Sequence, residues 1–208
     1  MLVNELTETI HQNAKEHGWW DEKRSTNQIV ALIHSEWSEA LEEARAGRPL
    51  VYYNCTEGEG MALAPCDVKD ETECAYYGKP DCPYRSKKPE GIAVELIDGV
   101  IRILDFFGEC CIELDDPETG NPAEVESLWG KNSADEDDVP DDAAELIALL
   151  HAHTSNIIID DKHDPLNLVQ AMSMVLVWIN RQGIDPLKLM LEKHEYNKTR
   201  PYKHGKNF

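Results

Sequence analysis

The chain has 208 residues and a formal charge of −20, from 40 Asp and Glu against 20 Lys and Arg. Neutralising duplex phosphates needs clustered cations, so this balance argues against duplex nucleic acid as a partner. The length suits one elaborated domain better than two independent ones. No apolar run approaches the roughly 20 residues that span a bilayer. The opening "MLVNELTETIHQNAKEHGWW" also lacks the basic start and apolar stretch of a signal peptide. A soluble, cytoplasmic protein without membrane contact is expected, with its six cysteines reduced or metal-bound rather than disulfide-linked.

In chain order, residues 3 to 17 and 26 to 46 read as helices joined by "GWWDEKRS". Gly18 ends the first, Ser25 or Thr26 caps the second, and Gly47 with Pro49 stops it. Residues 50 to 90 hold four cysteines and several Gly and Pro without a sustained helical period, and read as an irregular insertion in which only "LVYYN" alternates like a strand. "GIAVELIDGVIRILDFFGECC" resumes a helical pattern, with Val94, Ile97, Ile101 and Leu104 at spacings of three and four. Cys110 and Cys111, at its end, are expected in the core. Residues 115 to 142 are acidic and rich in turn formers, a connector with at most a helical turn. Helices follow at about 142 to 159, 165 to 182 and 186 to 197, so the fold class is all-α.

An internal repeat is also legible. Shifted by 117 residues, "ALIHSEWSEAL" (31 to 41) lies over "ALLHAHTSNII" (148 to 158); shifted by 75, "VELIDGVIRILDFFGE" (94 to 109) lies over "VQAMSMVLVWINRQGI" (169 to 184). Two helical pairs would then pack into a four-helix core, the second (142 to 182) a degenerate copy. Any two amphipathic helices align to some degree, so the informative part is where the copies differ. Glu36, Glu39, Glu95 and Asp98 fall opposite His153, Asn156, Gln170 and Ser173.

Glu36 and Glu39 are three apart on one helix, as are Glu95 and Asp98 on another, so each pair projects from one face. Packing the faces together makes four carboxylates converge. Buried unpaired acids repel unless they take up protons or bind a cation. Hard oxygen donors at this density suit Mg²⁺ or Mn²⁺, ions that also bridge to substrate phosphates. The alternative is an acid-rich solvated face, the usual reading of one E-x-x-E pair, especially as Glu42 and Glu43 offer other pairings.

"HSEWSEALEE" followed by "AVELIDGVIRILD" resembles the MazG-like all-α nucleoside triphosphate pyrophosphohydrolases, a superfamily related to the dimeric dUTPases, whose signature is E-x-x-E on one helix and E-x-x-D on the next. "GWWDEKRS" and the tail "KHEYNKTRPYKHGKNF" extend the likeness over roughly 1 to 48, 89 to 112 and 183 to 208. The cysteine insertion and residues 113 to 182 lie outside the simplest pattern. The resemblance implies a single MazG-like domain over 1 to 208. It further implies that Glu36, Glu39, Glu95 and Asp98 hold Mg²⁺, or Mn²⁺ as a substitute, and that a nucleoside triphosphate is cleaved to monophosphate and pyrophosphate. Glu39 is the expected general base. Sites in the family form where helix pairs pack as dimers, so the expected assembly is a monomeric pseudo-dimer or a homodimer.

The tail supplies cations. Lys193 and Asn197 sit one helical turn apart with Arg200 and Lys203 just beyond, a group able to grip phosphates or, alternatively, a solvated basic helix end. Lys23 and Arg24 could add to it. Trp19, Trp20 and Asn27 stand near the acids; Trp20 and Asn27 are the candidates for holding a base, against the plainer reading of Trp as packing. Cys55, Cys66, Cys74 and Cys82 are separated by ten, seven and seven residues, without the C-x-x-C of a strong zinc motif. One structural Zn²⁺, disulfides or free thiols are all open there. His151 and His153 read as packed or solvated. The rival functions are a non-catalytic nucleotide-binding or sensing protein of the same fold, and a helical interaction module whose acids are solvated.

Overall fold

The computed structural model describes residues 1–55, 64–65, 85–116, 119–128, 138–159 and 165–205. Six helices carry the fold: α1 (Val3–Glu16), α2 (Thr26–Arg45), α3 (Ile92–Cys110), α4 (Ala143–Ile159), α5 (Leu166–Arg181) and α6 (Pro186–Lys198). Each lies within a residue or two of the span its periodicity predicts. Their ends follow local chemistry. Ser25 caps α2, its hydroxyl accepting from the Gln28 N–H while the Gln28 side chain accepts from the Ser25 N–H. Asp185 caps α6, with Pro186 in the first turn, where its missing N–H costs nothing. Gly18 follows α1 at φ 77°, a left-handed turn that a side chain would strain.

The insertion is not wholly irregular. Three short antiparallel strands, β1 (Tyr52–Cys55), β2 (Ala64–Pro65) and β3 (Arg85–Glu90), form a sheet in the order β2-β1-β3. β1 begins within "LVYYN", whereas β3 lies in the stretch expected to be irregular, and its "RSKKPE" is polar and contains a proline. Backbone pairing with β1, from Tyr52 opposite Glu90, supplies what side-chain pattern does not. Among its described residues the connector holds a 3-10 turn at Val125–Leu128.

α3 is the hub. Thirteen of its nineteen residues are buried, so it is apolar nearly all round and must be covered on every side. α1, α2, α5 and α6 cover it, while α4 packs on α2 and α5. The closest approach is at Gly99, where an added Cβ would lie 2.1 Å from the Trp37 ring on α2. Glycine there lets the indole lie against the α3 backbone and draws the two acidic turns together. Trp37 is fully buried, and its Nε1 donates to Thr154 Oγ1 on α4 at 2.9 Å. One turn earlier on α2, the rings of His34 and His151 stack with centroids 4.9 Å apart and an Nδ1···Nδ1 hydrogen bond of 2.7 Å. α5 anchors the connector: Ser173 Oγ donates to the Leu128 carbonyl and Trp178 Nε1 to that of Asp141.

Cys110 and Cys111 are exposed, against the expectation that they are core. α3 ends there, and Cys111 takes a left-handed conformation (φ 53°) that carries the chain off the packed face. The tail turns back after α6. Lys203 N–H donates to the His17 carbonyl and Tyr202 Oη to Asp21 Oδ2, so the last described residues are fastened to the α1–α2 loop. No helix among the described residues is long and apolar enough to cross a membrane.

Candidate functional site

α2 and α3 place their acidic turns face to face. One carboxylate oxygen each from Glu36, Glu39 and Glu95 lies within 4.8 Å of the others. Glu36 and Glu95 retain only 5% and 7% of their exposure, whereas Glu39 stands open to solvent. Asp98 belongs to the same cleft but is held differently, with Lys193 Nζ 2.9 Å from its Oδ2. Lys193 comes from α6 and is 1% exposed, a buried cation that Asp98 neutralises.

The electrostatics follow from burial. Desolvation pushes the Glu95 carboxyl up to about 8; repulsion from Asp98, Glu36 and Glu39 adds to this and the attraction of Lys193 opposes it. Glu36 is raised as well, again first by burial, with Arg102 working against the shift. Lys193 is held above its ordinary value because Asp98 and Glu95 together outweigh its desolvation. Without a metal, Glu95 therefore keeps a proton at neutral pH, relieving the repulsion that four ionised carboxylates would create.

The acids open on a cleft of about 200 Å³. Its walls carry four cations: Lys88 from β3, Arg102 from α3, Lys193 from α6, and Arg200 just after it. Lys88 is paired with Glu90 at 2.6 Å, and Arg102 donates through Nε to Glu36 Oε1. Arg200 has no ion-pair partner among the described residues. Asn197 lines the same cleft at 8% exposure, and its Oδ1 is buried without a hydrogen-bond partner. An orphaned acceptor of this kind costs stability unless something supplies a donor.

Of the residues singled out from sequence, Glu36, Glu39, Glu95, Asp98, Lys193, Asn197 and Arg200 meet at this cleft. Trp20, Asn27 and Lys203 do not line it. Trp20 Nε1 donates to Asp105 Oδ1 at 2.8 Å and its ring meets His11 edge-on, so the indole is turned into the α1–α3 contact. Asn27 is exposed in the first turn of α2, and Lys203 is carried to the His17 side by the fastened tail. Trp19 lines the cleft instead, with the guanidinium carbons of Arg24 and Arg102 at 5.0 and 5.8 Å from its ring centroid. Lys23 is exposed outside the lining. Cys66, Cys74, Cys82 and the side chain of Cys55 lie outside the described residues.

Sequence reasoning missed Arg102, Asp105, Lys88 and Asn13. For two of them a signal was present: Glu95, Asp98, Arg102 and Asp105 follow one another at spacings of three and four, a polar stripe along an otherwise apolar helix. Asp105 accepts from both His11 Nδ1 and Trp20 Nε1 at 2.8 Å, fixing α1 and the following loop to α3 at the edge of the cleft.

The donor set fits a divalent cation with a preference for oxygen. Glu36, Glu39 and Glu95 offer hard ligands within the span of one coordination sphere, without thiolate or imidazole, and open space beside them leaves room for water or phosphate. Comparison of the chain with protein-family models, with curated proteins and with solved structures gives no match.

Proposed function

We propose that this protein is a divalent-metal-dependent nucleoside triphosphate pyrophosphohydrolase of the MazG-like type, releasing a nucleoside monophosphate and pyrophosphate. One observation carries the reading: three carboxylate oxygens within 4.8 Å of one another open onto a cleft whose walls bear Lys88, Arg102, Lys193 and Arg200. Acids alone would suit a cation, and cations alone an anion. Their juxtaposition suits a metal ion held together with a polyphosphate.

Glu36, Glu39, Glu95 and Asp98 are the residues that would hold Mg²⁺ or Mn²⁺. Such an ion, when bound, screens the phosphate charge and makes water a better nucleophile at neutral pH. The chain's own groups do the rest. Arg200 and Lys193 orient the phosphates by charge-assisted hydrogen bonds. Asn197 offers its orphaned carbonyl to a hydroxyl, an N–H or a water of the bound ligand. Glu39, the most exposed of the cluster, accepts the proton of the attacking water. Burial of the remaining acids keeps their charge from dissipating into solvent.

The degenerate pair α4–α5 serves as the partner that a dimeric relative would draw from a second subunit. His34 with His151, and Trp37 with Thr154, are each 117 residues apart and in contact, the same shift at which the sequence repeats. Residues equivalent under a two-fold meet one another near its axis, which supports a pseudo-dimeric core within one chain. The enzyme would act on the cytoplasmic nucleotide pool.

The test is a panel of NTPs, dNTPs and modified nucleotides incubated with Mg²⁺ and scored for monophosphate and pyrophosphate. Orthophosphate released singly would overturn the cleavage position. Tight nucleotide binding without turnover would favour a sensing protein, and the absence of Mg²⁺-dependent thermal stabilisation by every nucleotide would favour an interaction module.

A further inference from the structure

Arg102 is engaged in an unusual way. A guanidinium has five N–H donors and grips a carboxylate best through two parallel bonds. Arg102 reaches Glu36 through Nε alone, and its two terminal Nη groups have no hydrogen-bond or ion-pair partner among the described residues. The Trp19 ring, 5.8 Å from the guanidinium carbon, supports the group without consuming a donor. The residue lines the cleft together with Asn197, whose buried Oδ1 is also unpartnered. Arg102 keeps a quarter of its side-chain exposure and its Nη groups are not buried, so they face the cleft, where a ligand oxygen can take the place of solvent.

Glu36 accepts that single bond. It is nearly fully buried, so when ionised it needs a cation beside it. It is also one of the three residues whose oxygens converge within 4.8 Å. A divalent ion at that convergence and the guanidinium would compete for one carboxylate, and the doubly charged ion repels the guanidinium as it arrives. The displaced side chain has a ready destination, because the cleft it lines would hold the phosphates.

We infer that Arg102 is an exchangeable counter-ion: it neutralises Glu36 while the site is free of metal, yields Glu36 to the incoming divalent cation, and then binds a substrate phosphate through its Nη groups. The inference rests on the metal and polyphosphate reading above. It makes the two ligands mutually reinforcing, since a phosphate that draws Arg102 away from Glu36 frees a metal ligand. By linkage the metal strengthens phosphate binding by the same factor.

Mn²⁺ alone is titrated into wild type, Arg102→Gln and Arg102→Lys at pH 8, followed by electron paramagnetic resonance of the free ion. Inorganic pyrophosphate is then titrated calorimetrically at saturating Mg²⁺. Arg102→Gln should bind Mn²⁺ at least about threefold more tightly, having lost the competing charge, and pyrophosphate about tenfold or more weakly. Arg102→Lys keeps the competing charge, so Mn²⁺ affinity stays near wild type while pyrophosphate affinity falls severalfold with loss of the planar fork. Equal or weaker Mn²⁺ binding in a folded Arg102→Gln protein would make Arg102 a mere positioner of Glu36 and overturn the exchange. If Arg102→Gln fails to fold, unchanged pyrophosphate binding in Arg102→Lys overturns it. A wild type that binds neither Mn²⁺ nor pyrophosphate would bring down the underlying functional reading and this inference together.

Discussion

The helical pairs α2–α3 and α4–α5 are built from similar apolar stripes yet treat their buried polar positions in opposite ways. On α5, Ser173 is buried and its hydroxyl is answered at once by the Leu128 carbonyl, 2.6 Å away. On α4, Asn156 is exposed, with its amide 3.4 Å from Asn167. The corresponding places on α2 and α3 hold carboxylates whose neutralising groups are brought in from elsewhere: Lys193 from α6, and Arg102 from a later turn of α3. Ser173 is satisfied locally, although His153, opposite Glu36, leaves its Nδ1 buried without a partner; the α2–α3 pair instead gathers charge that distant residues balance. If the proposed activity resides at α2–α3, substitutions in the two pairs should separate stability from activity.

The largest separation is expected at the acids. Glu39→Gln or Glu95→Gln should lower pyrophosphate release by on the order of a hundredfold or more. The melting temperature of the metal-free protein should hold or rise: Glu39→Gln removes a repelling charge, and Glu95→Gln replaces a carboxyl already uncharged at neutral pH. Parallel product assays and thermal melts decide this, and an equal loss of both would make the cluster structural.

Gly99→Ala should come next. A methyl 2.1 Å from the Trp37 ring forces α2 and α3 apart, costing about 1–3 kcal/mol in denaturant unfolding and displacing Glu36 from Glu95. It is the substitution that should damage both properties, and a fully stable, active variant would show that the close approach is dispensable.

Thr154→Val tests the seam between the pairs. It leaves the Trp37 N–H buried without an acceptor, for a loss of about 1–3 kcal/mol in urea unfolding, with turnover per folded molecule retained. Thr154→Ser should restore most of the stability.

The smallest effect concerns pH. Burial lowers the values of both His34 and His151, and for His34 the neighbouring His151 adds to it, so the fold favours neutral rings. Their contribution is complete above the unfolded value of 6.5 and is lost as pH falls through it toward the lowered folded value. The raised carboxyl of Glu95 acts in the opposite sense, adding stability as pH falls from about 8 toward 4.5, so the histidine pair is read by difference: in chemical denaturation between pH 8 and 5, wild type should lose a little stability relative to His151→Leu. The partial exposure of both rings keeps the slope small.

The helices were legible because apolar spacing is a local property, and the same was true of the four acids that break the pattern. The route from sequence failed where a position depends on how the chain turns. Nothing in "GWWDEKRS" tells which indole faces the acids; Asp105 decides it by binding Trp20 and leaving Trp19 at the cleft. Lys203 belongs to the basic tail by spacing, but the tail doubles back at Tyr202, whose ring lies against Gly18. β3 escaped because its order comes from backbone pairing to a strand some thirty residues earlier. Arg102 is readable from its spacing on the polar stripe of α3, three and four residues from Asp105 and Asp98.

The placement of Lys193 and Asn197 on the last helix has a consequence for how the protein is made. α3 emerges from the ribosome with Glu95 and Asp98 in its most apolar stretch, long before α5 and α6 exist to cover it. Until α6 and the turn after it are released, neither the lysine that balances Asp98 nor the segment that fastens to His17 and Asp21 is available. Folding of the hub is therefore tied to synthesis of α6, and a polypeptide truncated before α6 would expose an acidic, half-covered helix, a natural substrate for chaperones and proteases.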